Sequence, residues 1–248
     1  MNCYIFLTVR TGSSRLPNKA ILDLCGKPTI QYLIDGLKKS RYAKDIILCT
    51  TNEQQDDTLC NIAADSDIKF YRGDSEDKLR RWLGACVKYK VDFFVNVDGD
   101  DLFFDHEIAD HIFRQYDSFR PGFIDGQGYL YNDVYGISFG ALKHVCETKK
   151  TDSSEYVKTF FEHRLDTQKI ENYDKKWIKR NIRMTLDYEE DFIFFEKVIN
   201  DLQDDLSFDN IIEHIERNPS IAKINYHLED EWKKRQSLQK EKQSEVNE

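Results

Sequence analysis

The sequence predicts an α/β fold in three layers, a mostly parallel sheet covered by helices on both faces. Three observations predict it. Short apolar runs alternate with helix-period segments up to about residue 116, and that order builds β-α-β units whose parallel strands need cover on both sides. The 248 residues, 40% of them hydrophobic, suffice for one large domain with a sizeable core and argue against disorder. No internal repeat and no Pro-, Gly- or Ser-rich linker divides the chain, so one domain with a small lobe is expected over residues 1–228.

Residues 3–9 read as a buried strand, too short an apolar run for a signal peptide. Residues 28–39 read as a helix, with Pro28 suited to its first turn and Ile30, Leu33, Ile34 and Leu37 in one stripe. A strand over 45–50 and a helix over 56–64 follow, the helix with Leu59, Ile62 and Ala63 on one face. Next come a strand over 68–72 and a helix over 76–89, with Leu79, Trp82, Leu83, Cys86 and Val87 in register. A strand over 91–97 and a helix over 105–116 complete the regular half.

Beyond residue 117 the pattern changes. Residues 120–140, rich in Gly, Tyr and Phe, read as extended segments joined by turns. Residues 154–163 read as a helix, 181–186 as a strand, and 191–200 and 208–216 as helices. Residues 229–248 carry many charges and almost no apolar residues; they read as a solvated tail, with a dimerisation arm as the other reading. Right-handed crossovers fix the hand of such a sheet, and ligands bind beyond the carboxyl ends of its strands. The turns at 10–20, 50–57, 72–77 and 98–105 are therefore where a site is sought.

Composition narrows the classes. A net charge of −9 argues against a nucleic-acid footprint over the whole chain, while a local basic pocket can still bind phosphates. Six cysteines without a C-x-x-C pair read as reduced core residues of a cytoplasmic protein. No apolar run is long enough to span a membrane. His106 and His111 stand five residues apart, about 140° around a helix, and read as surface or capping residues rather than metal ligands. No Ser-His-Asp set or zinc spacing is visible.

The segment from Arg10 to Lys19 directly follows the first strand. Gly12 allows a ligand close to the backbone, and the N–H groups of Gly12, Ser13 and Ser14 suit an anion-binding nest. Arg10, Arg15 and Lys19 match the charge of a triphosphate. The segment lacks the second glycine and the Ser/Thr after Lys19 of a Walker loop, and has only one glycine where a dinucleotide fingerprint has three. The plainer reading is a polar surface loop whose arginines pair with carboxylates; its place at the end of the first strand favours the ligand. Two acidic clusters, Asp98-Gly99-Asp100-Asp101 and Asp187 to Asp191, each follow an expected strand. Carboxylates so placed suit Mg²⁺; the alternatives are a polar turn and a helix N-cap.

In order, R-x-G-S-S-R-L-P-x-K, Gly26-Lys27-Pro28, Thr50-Thr51-Asn52 with Asp56-Asp57, Tyr71-Arg72-Gly73 with Glu76-Asp77, Asn96 to Asp100, Thr185 to Asp191 and the Ile221–Asn225 region form a set over roughly residues 3–226. This set resembles the cytidylyltransferases that activate acidic sugars: the acylneuraminate and 3-deoxy-manno-octulosonate enzymes and, in particular, the SpsF-like group associated with surface polysaccharides. The resemblance implies a nucleotide-diphospho-sugar transferase architecture, GT-A-like and Rossmann-like. It implies CTP as substrate, Mg²⁺ as cofactor, a small sugar or acid as acceptor, and a homodimer. It assigns the metal to Asp100 and Asp187, and catalysis to Arg15, Lys19 and Asp100. Nucleotide binding falls to Arg10, Gly12, Ser13, Ser14, Arg15, Lys19, Thr50, Arg72 and Asp98. Asp191, Glu155 and Asp133 match motif positions without a fixed role. Val9 for Ala, Leu102 for Pro, Tyr156 for His and Tyr188-Glu189 for Thr-Pro are departures that leave base and acceptor specificity open. The alternatives are a metal-dependent nucleotide-sugar glycosyltransferase using Asp98-Gly99-Asp100 and a non-catalytic nucleotide-binding relative.

Overall fold

A computed structural model describes residues 1–126, 133–152, 154, 156–161, 166–178, 180–203, 205–235 and 237. Strand β1 (Cys3–Thr8) is buried throughout and turns alternate side chains to opposite faces. Tyr4 and Phe6 enter one core; Cys3, Ile5 and Leu7 enter the other. A short hairpin follows, β2 (Asp23–Leu24) with β3 (Lys27–Pro28). Helix α1 (Thr29–Leu37) starts after Pro28 and buries the expected stripe of Ile30, Leu33, Ile34 and Leu37.

The chain continues through β4 (Ile46–Thr51), α2 (Asp57–Asp65), β5 (Lys69–Gly73), α3 (Lys78–Tyr89), β6 (Phe93–Asp98) and α4 (His106–Phe119). Strands β5, β4, β1 and β6 lie side by side and parallel. β7 (Phe123–Asp125), β8 (Tyr135–Ser138) and β9 (Thr167–Lys169) extend the sheet in the order β6-β8-β7-β9, with only β8 running antiparallel to its neighbours. The mostly parallel, doubly covered sheet expected from the sequence is the architecture found.

Helices α1, α2 and α4, with α6 (Glu189–Leu202) and α7 (Phe208–Arg217), pack on one face. Helices α3 and α5 (Phe139–Thr148) cover the other around Trp82, Phe94 and Phe123. Asp77, Asp105 and Ser138 cap α3, α4 and α5 by accepting backbone N–H bonds.

Four expectations need correction. Val87 of α3 is 64% exposed; Ala85 takes the buried place on that helix. Residues 154–163 form no α-helix among the described residues, only a 3₁₀ turn at Val157–Phe160. Residues 181–186 bury the apolar Ile182, Met184 and Leu186, but Arg183 between them is buried as well, and the described structure gives the segment no sheet partner. Their cross-tie to the sheet end is the Leu186 N–H donating to the Asp100 carbonyl at 2.9 Å. Residues 229–235 of the expected solvated tail are helical; most are exposed, but Glu229 is 2% exposed because it pairs with buried Arg183.

Candidate active site

β1 and β6 end in register, Thr8 beside Asp98, so the loops that leave them start from one line. Between these loops and residues 183–187 lies a cleft of about 740 Å³. Arg10, Gly12, Ser13, Ser14, Arg15 and Lys19 all line it, as do Asp98, Asp100 and Asp187. The cleft lies at the carboxyl ends of the parallel strands, where this architecture binds ligands.

Lys19 stands at the centre. Its Nζ donates to Asp100 Oδ2 and to Asp187 Oδ1, each at 2.7 Å. Arg15 donates to the same Asp187 oxygen at 2.5 Å. Burial opposes the charge on Lys19, but Asp100 and Asp187 outweigh it and raise its pKa. Burial likewise opposes ionisation of Asp187, and Lys19 and Arg15 reverse that and hold its carboxyl below the usual range. Lys19, Arg15 and Asp187 are each shifted toward their charged forms, as in a site that compensates burial by pairing.

A further set of contacts fixes Asp187 from behind. Asp191, fully buried, accepts the backbone N–H groups of Asp187 and Tyr188 and the Nδ2 of Asn225. Arg183 donates to both Asp191 oxygens, at 2.9 and 3.2 Å, and to Glu229 at 3.2 Å. Trp232 Nε1 donates to Asp187 Oδ2 at 2.8 Å. Asp191, whose role the sequence left open, therefore caps α6 and orients Asp187. Arg183, Glu229 and Trp232 escaped the sequence reading: they follow no motif, and the expected tail concealed two of them.

The cationic loop is anchored from below. Asp56 accepts from the Thr11 N–H at 2.8 Å and Thr11 Oγ1 at 2.6 Å, and from Thr50 Oγ1 at 2.8 Å. Burial works against ionisation of Asp56, yet these hydrogen bonds lower its pKa. Thr50, expected at the nucleotide, is buried beneath the loop, donates to Asp56 and is not among the residues that line the cleft. Arg72 is turned away as well: it donates to the Thr51 and Glu53 carbonyls and pairs with Asp57. The Ser13 N–H, expected in an anion nest, donates to the Thr11 carbonyl.

The other positions fall as follows. Arg10 is exposed at the rim and donates to the Ser75 carbonyl at 3.2 Å. Asp98 accepts from Asn96 and Lys78. Asp133 is exposed and lines the far end of the cleft. Glu155 lies outside the described residues. His106 and His111 meet Asp105 and the Glu171 carbonyl, respectively, away from the cleft. Among the further cations that line the cleft, Arg81 is buried, donates to the Asp74 carbonyl at 2.6 Å, and its Nε has no hydrogen-bond partner in the described structure. In the sequence it is one of two adjacent arginines on a helix, with nothing to mark it.

A cationic loop at the end of the first strand, facing two carboxylates across a cleft, defines a phosphate-handling nucleotide enzyme. Comparison with known proteins sharpens the class. A profile described as cytidylyltransferase matches residues 5–217, and the chain belongs to that family. It is a CTP-dependent nucleotidyltransferase.

Among its relatives, the SpsF spore coat polysaccharide biosynthesis protein of Bacillus subtilis is 22% identical over 90% of this chain and 98% of its own length. The 3-deoxy-manno-octulosonate cytidylyltransferase of Saccharophagus degradans is 32% identical over 41% of this chain and 40% of its own. A cytidylyltransferase structure from Leptospira borgpetersenii has a TM-score of 0.81 at 24% identity, covering 90% of this chain and 97% of that one.

Proposed function

We propose that the chain transfers CMP from CTP to a hydroxyl of a sugar, a sugar acid or a related small acceptor, for surface polysaccharide or glycoconjugate synthesis. The observation that carries this reading is the Lys19 ammonium held between Asp100 and Asp187, with Arg15 alongside. The naming of SpsF and of the 3-deoxy-manno-octulosonate enzymes among the relatives supports the acceptor class.

In this reaction the acceptor oxygen forms a bond to the α-phosphorus. The bond from that phosphorus to the bridging oxygen breaks, and pyrophosphate leaves with the electron pair. Lys19 and Arg15 exchange their carboxylates for the β- and γ-phosphates, where charge accumulates. Arg10 and the backbone around Gly12 and Ser14 bracket the same phosphates. Rigid placement of these groups supplies most of the rate, since little covalent work falls to the protein.

The donor set fits Mg²⁺. Two hard carboxylate oxygens, Asp100 Oδ2 and Asp187 Oδ1, already converge on one cation, and Mg²⁺ commonly takes one or two carboxylates together with phosphate oxygens and water. Asp100 and Asp187 would hold the metal, which would supply charge neutralisation at the α-phosphate and lower the pKa of the attacking hydroxyl.

The test is pyrophosphate release from CTP, UTP, GTP and ATP, with and without Mg²⁺, against a panel of sugar acids and phosphorylated sugars. Selective, acceptor-dependent release from CTP is the expected result. Binding of a nucleotide-diphosphate sugar with no pyrophosphate from any triphosphate overturns the reading in favour of a glycosyltransferase.

A further inference from the structure

The Asp187 carboxylate has its two oxygens served from opposite directions. Oδ1 accepts from Lys19 and Arg15, both on the cationic loop. Oδ2 accepts from Trp232, on the C-terminal helical segment, with Arg183 Nη2 at 3.7 Å. The first pair of donors consists of the groups that phosphates attract. When they turn to a nucleotide, Oδ1 is released and Oδ2 stays held.

The chemistry of the second holder matters. An indole N–H is a neutral donor: it fixes the direction of a carboxylate without cancelling its charge. A lysine there would compete with a metal for the same negative charge. The segment that carries Trp232 is itself pinned, because Glu229, one turn earlier, accepts from buried Arg183 at 3.2 Å. The Arg183 guanidinium lies 5.5 Å from the Trp232 ring, so the indole also has a packed backing. Trp232 is only partly buried and lines the cleft, so burial alone does not account for its place.

We propose that Trp232 is a positioning residue for nucleotidyl transfer, holding Asp187 by Oδ2 so that Oδ1 stays directed at the metal and phosphates. The inference rests on the reading of Asp187 as a metal carboxylate. The partners that orient a metal ligand are commonly worth 10- to 100-fold in metal affinity or activity.

The experiment measures CTP affinity by titration calorimetry in Mg²⁺ and in EDTA, and needs no acceptor. In Trp232→Phe the affinity in Mg²⁺ falls about tenfold or more, while the affinity in EDTA changes less than about twofold. Loss of equal size in both media, which a merely structural role would give, overturns the proposal; so does no loss in either. Trp232→Gln, which restores a side-chain N–H, recovers part of the Mg²⁺-dependent affinity, and Trp232→Leu does not; equal values for these two overturn it. That pair also serves if circular dichroism shows that the phenylalanine variant is unfolded.

Asp187→Asn separates the two levels of the argument. If wild type gains nothing from Mg²⁺, or Asp187→Asn keeps the gain, the metal reading itself falls. If the gain is lost in Asp187→Asn and intact in Trp232→Phe, only the role of Trp232 falls.

Discussion

Lys19 and Asp187 are 168 positions apart in the chain and 2.7 Å apart in the fold. Their pairing, completed by Asp100, joins the cationic loop to the acidic wall of the cleft. Lys19 and Arg15 thus have their counter-charges in Asp100 and Asp187.

Removing either side should disable the reaction without unfolding the chain. Lys19→Ala and Asp100→Asn are each expected to lower pyrophosphate release at least about a hundredfold, the usual scale for one preorganised electrostatic group. Near-normal rates in both, with unchanged circular dichroism, would remove these residues from the site.

The pairing also sets a pH dependence in metal-free buffer. Asp187 has a lowered pKa in the fold, so its contribution to stability is complete above the unfolded value of about 3.9 and is lost as pH falls through the lower native value. Lys19 has a raised pKa, so its contribution is complete below about 10.4 and is lost as pH rises through the higher native value. Urea unfolding of wild type and Asp187→Asn should therefore differ at neutral pH and converge in acid. A constant gap down to the acid limit would contradict the assignment.

Asp56 should matter to binding without touching the ligand. It ties Thr11 of the cationic loop to the end of β4 through Thr50. Asp56→Ala leaves these donors unsatisfied, and a loss of about 3 kcal/mol in stability is expected. Weaker CTP binding should accompany it, because the loop loses its anchor. Denaturant titration and calorimetry on one variant check both halves.

The glycine between Asp98 and Asp100 is there for space. A Cβ on Gly99 would lie 2.6 Å from Val9 Cβ and 2.7 Å from Val9 Cγ2. Gly99→Ala should displace the β6 loop and cut activity, and Val9→Gly in the same chain, which removes both contacting carbons, should restore much of it. A double variant no better than the single one would mean that the crowding lies elsewhere.

Much of this was legible in the sequence, and the reason is local. The strands and helices up to residue 119 follow from buried runs and apolar stripes, which need only neighbouring residues to be read. The cationic loop was visible because its cations are crowded into ten positions after a strand. Thr50 and Arg72 belong to the ordered motif set, yet hydrogen bonding within their own turn claims both. At 181–186 the apolar residues of the alternation are buried, but so is Arg183 between them, held by Asp191 and Glu229, and alternation does not report whether a neighbouring strand exists. Trp232 and Glu229 were illegible because their partners, Asp187 and Arg183, lie more than forty residues back and are met only in the fold.

The backbone tie from Leu186 N–H to the Asp100 carbonyl has a consequence for synthesis. It joins the ends of two stretches made far apart in time, and Trp232 is made later still. A nascent chain that has released β1 to β6 can form much of the sheet, but its cationic loop has only Asp100 of the two carboxylates and no indole behind the second. Contacts of such long sequence separation form late, after the local ones. On the ribosome, catalysis is therefore the last property the chain acquires, and a prematurely terminated product would bring phosphate-attracting charge without the means to use it.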